Sequence, residues 1–175
     1  MKKLRLKLRE GAIFKSNHDA DSGYDVGALG FQRVFQVSED KYQLQDIHWL
    51  DEGEQFTLAP NECALIKTGV CLQLPEPEYN EDEQVLYVTE AQMRPRSGLS
   101  LKENTTAILG TIDNPYRNDC GVILKNTNSN PVTFTKGDRV GQIVISKAMK
   151  FKNIEVVDSL NTTKRGEKGF GSSGK

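Results

Sequence analysis

Cysteine and histidine are scarce in this sequence, which narrows the chemistry open to it. Three cysteines among 175 residues, with no Cys-x-x-Cys pair, predict reduced thiols rather than a disulfide framework or a common cysteine-based zinc site. The two histidines, His18 and His48, are far apart, and no Gly-x-Ser-x-Gly element accompanies them. A Ser-His-Asp hydrolase therefore has little support, and we expect each histidine to lie on the surface or in a loop rather than in a catalytic site.

The sequence also lacks a charge excess and any long apolar run. Its 23 basic and 24 acidic residues give a formal net charge of -1, so nothing indicates binding to nucleic acid or to a membrane. No apolar stretch approaches the ~18 residues of a spanning helix. The basic segment 1–8 has no continuous apolar core, so we expect no signal peptide and a cytoplasmic protein of one domain.

Helical periodicity is rare, whereas short strand-like runs are frequent. Residues 4–9 alternate apolar and basic side chains, which predicts a strand with one buried face. Most of the other runs are bounded by Gly, Pro, Asn or Asp, and they lie at residues 63–66, 85–88, 107–109, 121–124, 132–134 and 140–145. The best helical candidate is 97–104. This pattern predicts an all-β sandwich or barrel.

Three segments differ from the rest of the chain. Residues 31–56 mix aromatic and acidic side chains, and residues 75–83 hold five acidic side chains in nine positions. We expect both to be inserted surface segments. Residues 164–175 are rich in glycine, with two serines, four basic residues and one aromatic, Phe170. Such a composition cannot bury enough surface to fold alone. We therefore divide the chain into a β domain, 1–163, and a flexible C-terminal arm, 164–175, suited to wrapping an anion.

The functional signal lies in five spaced segments, at residues 21–26, 94–100, 110–117, 136–143 and 165–174. The last reads Arg-Gly-Glu-Lys-Gly-Phe-Gly-Ser-Ser-Gly. In this order they resemble the five motifs of the homotrimeric deoxyuridine triphosphate nucleotidohydrolases (dUTPases). A single segment would be a weak match, but five in register are specific. The resemblance covers nearly the whole chain apart from 31–56 and 75–83.

The residue types in these segments suit a nucleoside triphosphate. Arg96 and Arg165 are natural bidentate partners of phosphate. Asp113 supplies a carboxylate beside the aromatic Tyr116, although in isolation an Asp-Asn-Pro sequence is more typical of a simple turn. The neutral donors are Ser97, Gln142, Ser172 and Ser173.

The resemblance implies a role for each of the principal residues. Asp113 would orient and deprotonate a water that attacks the α-phosphorus of dUTP and releases pyrophosphate. Asp25 would hold the waters of a phosphate-bound Mg²⁺. Tyr116 would lie under the deoxyribose and exclude a 2′-hydroxyl, the backbone of 110–124 would contact the uracil, and Phe170 would close over the base. The implied substrate-binding residues are Arg96, Ser97, Gly98, Gly110, Ile112, Tyr116, Gln142, Arg165, Phe170, Gly171, Ser172 and Ser173.

The same resemblance implies a dUTPase-like jelly-roll β-barrel and a homotrimer with shared active sites, each closed by the arm of a neighbour. The enzyme would keep uracil out of DNA and supply dUMP for dTMP synthesis, in a host cytoplasm if a phage encodes it. Two alternatives stay open. One is a dCTP deaminase of the same fold, which Tyr116 and the phenylalanine arm disfavour. The other is a regulatory binding protein that contacts a protein partner through the inserted segments.

Four positions need separate treatment. Asn118 stands where the family usually has glycine, and we expect it to keep the turn because Asn tolerates a positive φ. Gly141 replaces a common alanine. We expect Asp138 and Arg139 to form a turn and an ion pair.

Overall fold

The computed structural model describes residues 3–39 and 41–167. These residues form sixteen β-strands and one short helix, which confirms the predicted all-β class. In chain order the elements are β1 Arg5–Leu8, β2 Phe14–Lys15, β3 Gly23–Gly27, β4 Gly30–Ser38, β5 Lys41–Leu44, β6 His48–Trp49, β7 Gln55–Leu58, β8 Cys63–Lys67, β9 Val70–Gln73, β10 Glu78–Asn80, β11 Val85–Arg94, α1 Ser97–Glu103, β12 Thr105–Ala107, β13 Gly110–Ile112, β14 Val122–Asn126, β15 Val132–Thr135 and β16 Arg139–Phe151.

The strands are arranged in two large sheets and two ribbons, and their pairings are antiparallel. The first sheet has the order β10-β11-β16-β3-β2, with β13 also paired to β11. The second has the order β12-β14-β8-β4-β5, with β6 also paired to β4. The ribbons are β1-β9 and β7-β15. This arrangement fits a jelly-roll-like fold, in which two sheets enclose one core.

One apolar core is shared by the two sheets. Val26 and Ile143 come from the first sheet, Ile66 and Leu124 from the second, and all four are fully buried in a single cluster. The β7-β15 ribbon adds aromatic side chains to this core. Side chains alternate between the two faces of a strand, so every second residue of the ribbon points inward. The rings of Phe31, Phe56 and Phe134 stack there, with successive centroids 5.3 and 5.2 Å apart.

The helix forms where the sequence predicted it. It spans Ser97–Glu103 and ends at Asn104, whose φ of 48° is left-handed. Asn is among the few residues that adopt this conformation at low cost, which explains why the helix ends there. Within residues 3–39 and 41–167, no helix is long and apolar enough to cross a membrane.

The expectation of a buried apolar face over residues 4–9 holds only for Leu4, which packs against the core. Strand β1 forms within residues 4–9, but all four of its residues are exposed, including Leu6 and Leu8. The reason is that, among the described residues, β1 pairs only with β9, in a two-stranded ribbon outside the two large sheets.

Residues 31–56 contribute side chains to the core at both ends and expose apolar side chains in between. Phe31 packs against the core, and Leu50 and Phe56 are buried within it. Between them the β4–β5 pair exposes several large apolar side chains: Val34, Phe35, Val37 and Leu44. In the acidic segment 75–83, β10 pairs with β11, and most of the side chains are exposed. That both segments are insertions stays a prediction.

Candidate active site

Four of the five sequence segments contribute to the first sheet, and three of them meet where β3, β16 and β11 lie side by side. Strand β16 lies between β3 and β11, so that Gln142 is paired with Asp25 on one side and with Arg94 on the other. Arg96 follows two residues after Arg94, at the start of α1. The register between β16 and β3 shifts between Arg139 and Gly141, as expected for a β-bulge.

Asp25 is the centre of a charged cluster that we call the Asp25 cluster, formed by Asn17, Asp25, Arg96 and Arg139. The Asp25 side chain accepts a hydrogen bond from Nε of Arg96 at Oδ1 and one from Nη1 of Arg139 at Oδ2, both at 2.9 Å. The Oδ2 atom also accepts from Nδ2 of Asn17 at 3.2 Å. Asp25 is only 8% exposed. Because two guanidinium groups surround one carboxylate, the cluster keeps an excess positive charge that favours an anion.

The neighbouring residues are held by close packing. Gln142 donates from Nε2 to the carbonyl oxygen of Pro95 at 2.9 Å. A Cβ atom at Gly23 would lie 2.3 Å from Oε1 of Gln142, so a larger residue at this position would displace the end of the Gln142 side chain. Ser97 and Gly98 are exposed at the start of α1, next to Arg96. The predicted residues Ser97, Gly98 and Gln142 therefore lie close to Arg96.

A second group of predicted residues lines a cavity of about 270 Å³, which we call the hairpin cavity. Gly110, Ile112, Asp113 and Tyr116 all belong to its wall. Strand β13 pairs with β11, with Gly110 opposite Met93, and this pairing fixes one side of the cavity. The rest of the wall consists of Leu65, Lys67, Met93, Ile108, Thr111, Asp119, Cys120, Gly121 and Ile123.

The turn that carries Asp113 is anchored by its neighbour. Asn114 is buried and donates from Nδ2 to the carbonyl oxygens of Pro75 and Thr89, at 2.8 and 3.0 Å. The backbone N–H of Tyr116 donates to the carbonyl oxygen of Asp113 at 3.0 Å. The Asp113 carboxylate itself is exposed and makes no hydrogen bond with any residue that the structure describes. It is thus positioned by its backbone while its oxygens stay available.

Tyr116 closes one side of the hairpin cavity. Its hydroxyl donates to the carbonyl oxygen of Asp119 at 3.1 Å. Burial raises the pKa of the Tyr116 hydroxyl above its usual value, and the neighbouring Cys120 and Asp119 raise it further. The phenol therefore stays protonated and keeps its donor role at neutral pH.

Asn118 does not adopt the positive φ that was the reason for expecting it to keep the turn. The non-glycine residues with positive φ in the described part of the chain are Asn61, Gln84 and Asn104. At Asn118 the side chain stabilises the turn instead, because its Oδ1 accepts a hydrogen bond from the backbone N–H of Asp119 at 2.8 Å.

Sequence reasoning missed a buried ion pair in the cavity wall. Lys67 and Asp119 are 7% and 8% exposed, with Nζ 3.8 Å from Oδ1. The Asp119 carboxylate accepts the backbone N–H groups of Thr68 at 3.2 Å and of Gly69 at 2.7 Å. The sequence marks only Lys67 as unusual, because it directly follows the apolar run 64–66, and gives no sign of its contact with Asp119.

Cys120 lies in the same wall and is buried. Burial, with smaller contributions from Asp119 and Cys71, raises the pKa of the Cys120 thiol to about 12. All three cysteines are free thiols, as the sequence predicted. A protonated, buried thiol is a poor nucleophile, so Cys120 acts here as an apolar wall residue.

The predicted site residues thus fall into two groups and a remainder. Asp25, Arg96 and Gln142 lie in or beside the Asp25 cluster, and Asp113 and Tyr116 line the hairpin cavity. Among the described residues no hydrogen bond or ion pair joins the two groups. Arg165 is exposed in the segment after β16. The other predicted arm residues lie outside the described residues: Phe170, Gly171, Ser172 and Ser173.

Two further residues of the Asp25 cluster, Asn17 and Arg139, belong to the candidate site because both contact Asp25. Arg139 was expected to form an ion pair, and its partner is Asp25. Asn17 was not considered in the sequence, and nothing in the local pattern around it indicates a contact with Asp25. The Asp138 carboxylate accepts the backbone N–H of Thr135 at 2.8 Å, as expected for a turn residue.

Comparisons with known proteins all find similarity to dUTPases. A family model described as dUTPase matches residues 49–174. The deoxyuridine 5'-triphosphate nucleotidohydrolase of Clostridium novyi (strain NT) is 44% identical over 177 residues, covering 99% of each chain. Among solved structures, a mutant dUTPase of Staphylococcus bacteriophage 80alpha with dUpNHpp has a TM-score of 0.72 at 25% identity and covers 99% of each chain.

A further solved structure extends the likeness of the fold. It is a mutant dUTPase from phage phi11 of S. aureus, described with the coordination of a structural Mg(II) ion. It is 21% identical, with a TM-score of 0.65, and the match covers 91% of this chain and 99% of the phage protein.

Proposed function

This chain belongs to the dUTPase family and is a dUTP diphosphatase, and we propose that Asp113 is the general base of its reaction. Asp113 accepts a proton from a water, the water oxygen bonds to the α-phosphorus, and the bond from that phosphorus to the bridging oxygen breaks. The products are dUMP and pyrophosphate. General-base catalysis of this kind contributes typically ~10²–10⁴-fold to the rate.

The observation that carries this proposal is the state of the Asp113 side chain. It lines the hairpin cavity, it is exposed, and it makes no hydrogen bond with the described residues. A carboxylate that already accepted several protein donors would be a weaker base, because hydrogen bonds to the charged form stabilise that form. The turn around Asn114 holds Asp113 in place without using its oxygens.

We assign the base and the sugar to the hairpin cavity. Its wall is largely apolar and holds few polar groups, which is typical of a small-molecule site. Tyr116 lies in this wall with its hydroxyl fixed on Asp119. A fixed aromatic ring under the sugar would exclude an additional 2′-hydroxyl by contact, which gives the preference for deoxyribose. Gly110 and Ile112 would offer backbone groups to the base.

The phosphates are assigned to the Asp25 cluster and its neighbours. Arg96 uses Nε for Asp25 and Nη1 for the carbonyl oxygen of Arg139. A guanidinium has five N–H donors, so three are left for phosphate oxygens. Ser97, Gly98 and Gln142 supply neutral donors beside it. From the C-terminal arm, Arg165 would bind the terminal phosphate, Gly171, Ser172 and Ser173 would donate to its oxygens, and Phe170 would cover the base.

Mg²⁺ is the proposed cofactor, held by Asp25 through water. The Asp25 oxygens already accept three hydrogen bonds, from Arg96, Arg139 and Asn17. A carboxylate offers about four acceptor positions, so one is left for a metal-bound water. This donor set fits outer-shell binding, since Mg²⁺ retains several waters and prefers phosphate oxygens. When bound, the ion would neutralise the phosphate charge and orient the triphosphate.

We propose a homotrimer with shared sites. The Asp25 cluster and the hairpin cavity are not joined by a hydrogen bond or ion pair within the described part of one chain. The end of β16 and the residues after it expose apolar side chains, with Phe151 at 62% and Val156 at 94%. Exposed apolar stretches of this kind favour burial against another chain. A cyclic trimer would place one chain's cluster, a second chain's cavity and an arm at each site.

The direct test is incubation of the protein with dUTP and, separately, with dCTP. We expect pyrophosphate from dUTP and no ammonia from dCTP. Ammonia from dCTP would identify a deaminase of the same fold. Tight nucleotide binding without either product would identify a regulatory binding protein instead.

A further inference from the structure

The ammonium group of Lys67 is a donor without an acceptor in the described part of the chain. Its side chain is 9% exposed, and its nearest acidic oxygen, Oδ1 of Asp119, lies at 3.8 Å, beyond hydrogen-bond distance. Asp119 does not depend on it, because that carboxylate accepts two backbone N–H groups. The ion pair with Asp119 compensates the charge of the ammonium group but leaves its three N–H donors unused, and burying unused donors is costly unless a ligand or water accepts them.

The location of Lys67 shows where such a ligand would lie. Lys67 lines the hairpin cavity and also a neighbouring cavity of about 310 Å³, so it forms part of the wall between them. No fully buried side-chain nitrogen or oxygen in the described residues lacks a hydrogen-bond partner. The Lys67 nitrogen has no hydrogen-bond partner among the described residues, so it is not fully buried and keeps some solvent-accessible surface.

We infer that Lys67 is a specificity-determining residue that donates a hydrogen bond to O4 of the uracil ring. This inference rests on the proposed placement of the base in the hairpin cavity. Uracil carries a carbonyl oxygen at position 4, whereas cytosine carries an amino group there. An ammonium group can only donate. It therefore pairs with O4 of uracil and opposes the amino group of cytosine, donor against donor.

The expected magnitude follows from the type of hydrogen bond. A hydrogen bond with one charged partner, made away from water, changes an equilibrium by about tenfold to hundredfold. We therefore expect Lys67 to raise the ratio of kcat/KM for dUTP over dCTP by this factor. The remaining preference for uracil would come from the backbone groups of the hairpin.

The test compares kcat/KM for dUTP and dCTP in the wild-type enzyme and in Lys67→Gln. Glutamine is uncharged, and its amide oxygen can accept from the amino group of cytosine. The dUTP-to-dCTP ratio should fall about tenfold to hundredfold. Lys125→Gln is the matched control, because Lys125 lies on the adjacent strand β14 and lines neither cavity. Its ratio should equal that of the wild type.

A second variant separates donation from charge and from folding. Lys67→Met removes every donor but keeps an unbranched side chain, so it should lower kcat/KM for dUTP more than for dCTP. If the methionine variant does not fold, the glutamine variant decides alone. An unchanged ratio in a folded Lys67→Gln enzyme would overturn the inference and leave the proposed function intact. Absence of dUTP hydrolysis by the wild type would overturn the proposed function itself.

Discussion

Replacing Asp25 by Asn tests how far the Asp25 cluster stabilises the fold. Asn has the same shape and keeps one accepting oxygen, but it removes the negative charge that pairs with both Arg96 and Arg139. The two guanidinium groups would then face each other across a neutral side chain. In addition, one of the two hydrogen bonds at 2.9 Å would lose its acceptor, because the amide nitrogen of Asn can only donate.

The magnitude follows from the burial of the three side chains. Removing one partner of a fully buried ion pair costs about 3–5 kcal/mol. The side chain of Asp25 is 11% exposed, but those of Arg96 and Arg139 are 25% and 39% exposed, so water stabilises part of their charge. We therefore expect Asp25→Asn to lower the free energy of unfolding by about 2–4 kcal/mol.

The assay is urea denaturation followed by circular dichroism, at one fixed protein concentration because assembly adds to the apparent stability. The matched control is Asp138→Asn. Asp138 is also an aspartate whose carboxylate accepts a hydrogen bond, but the donor is a single backbone N–H in a turn, and we expect a loss below about 1 kcal/mol. A loss below about 1 kcal/mol for Asp25→Asn would refute the reasoning, since the cluster would then behave as a surface ion pair.

Three further predictions concern the cysteines, the arm and the assembly. Because the pKa of Cys120 is raised to about 12, iodoacetamide at pH 8 should label Cys63 long before Cys120 in the native protein. Mass spectrometry measures the two labelling rates, and equal rates would contradict the burial of Cys120. Truncation after Thr163 should lower kcat more than it weakens substrate binding, and full-rate turnover by the truncated chain would remove Phe170 and Arg165 from the reaction. Mixing Asp113→Asn chains with truncated chains should restore part of the activity, whereas an active monomer in light scattering would contradict shared sites.

Local signals explain which elements the sequence predicted. The helix at 97–104 was predictable because Asn104 supplies a left-handed residue at its end. The strand at 132–134 was predictable because its side chains alternate between core and solvent. Strand β3 was not predicted as a strand, because Gly-Tyr-Asp-Val-Gly has no such alternation and forms a strand through its neighbours β2 and β16.

Site residues were predictable where they belonged to a recognisable sequence segment. They were not predictable where only folding brings them next to the other site residues. Asp25, Arg96 and Gln142 belonged to recognisable segments, and the register of β3, β16 and β11 brings them together. Asn17 and Lys67 belonged to no such segment. Their roles depend on partners brought close by folding, such as Asp119 beside Lys67, and no spacing in the sequence encodes that contact.

Turnover of dUTP by Asp113→Asn tests the central claim most directly. Asn keeps the shape of the side chain but cannot accept the proton of the attacking water. We therefore expect kcat, measured by pyrophosphate release, to fall ~10²–10⁴-fold, while affinity for dUpNHpp stays close to that of the wild type. Asp82→Asn is the control, since Asp82 is exposed in segment 75–83 and should not change kcat. A near-normal kcat for Asp113→Asn would contradict the assignment of Asp113 as the general base.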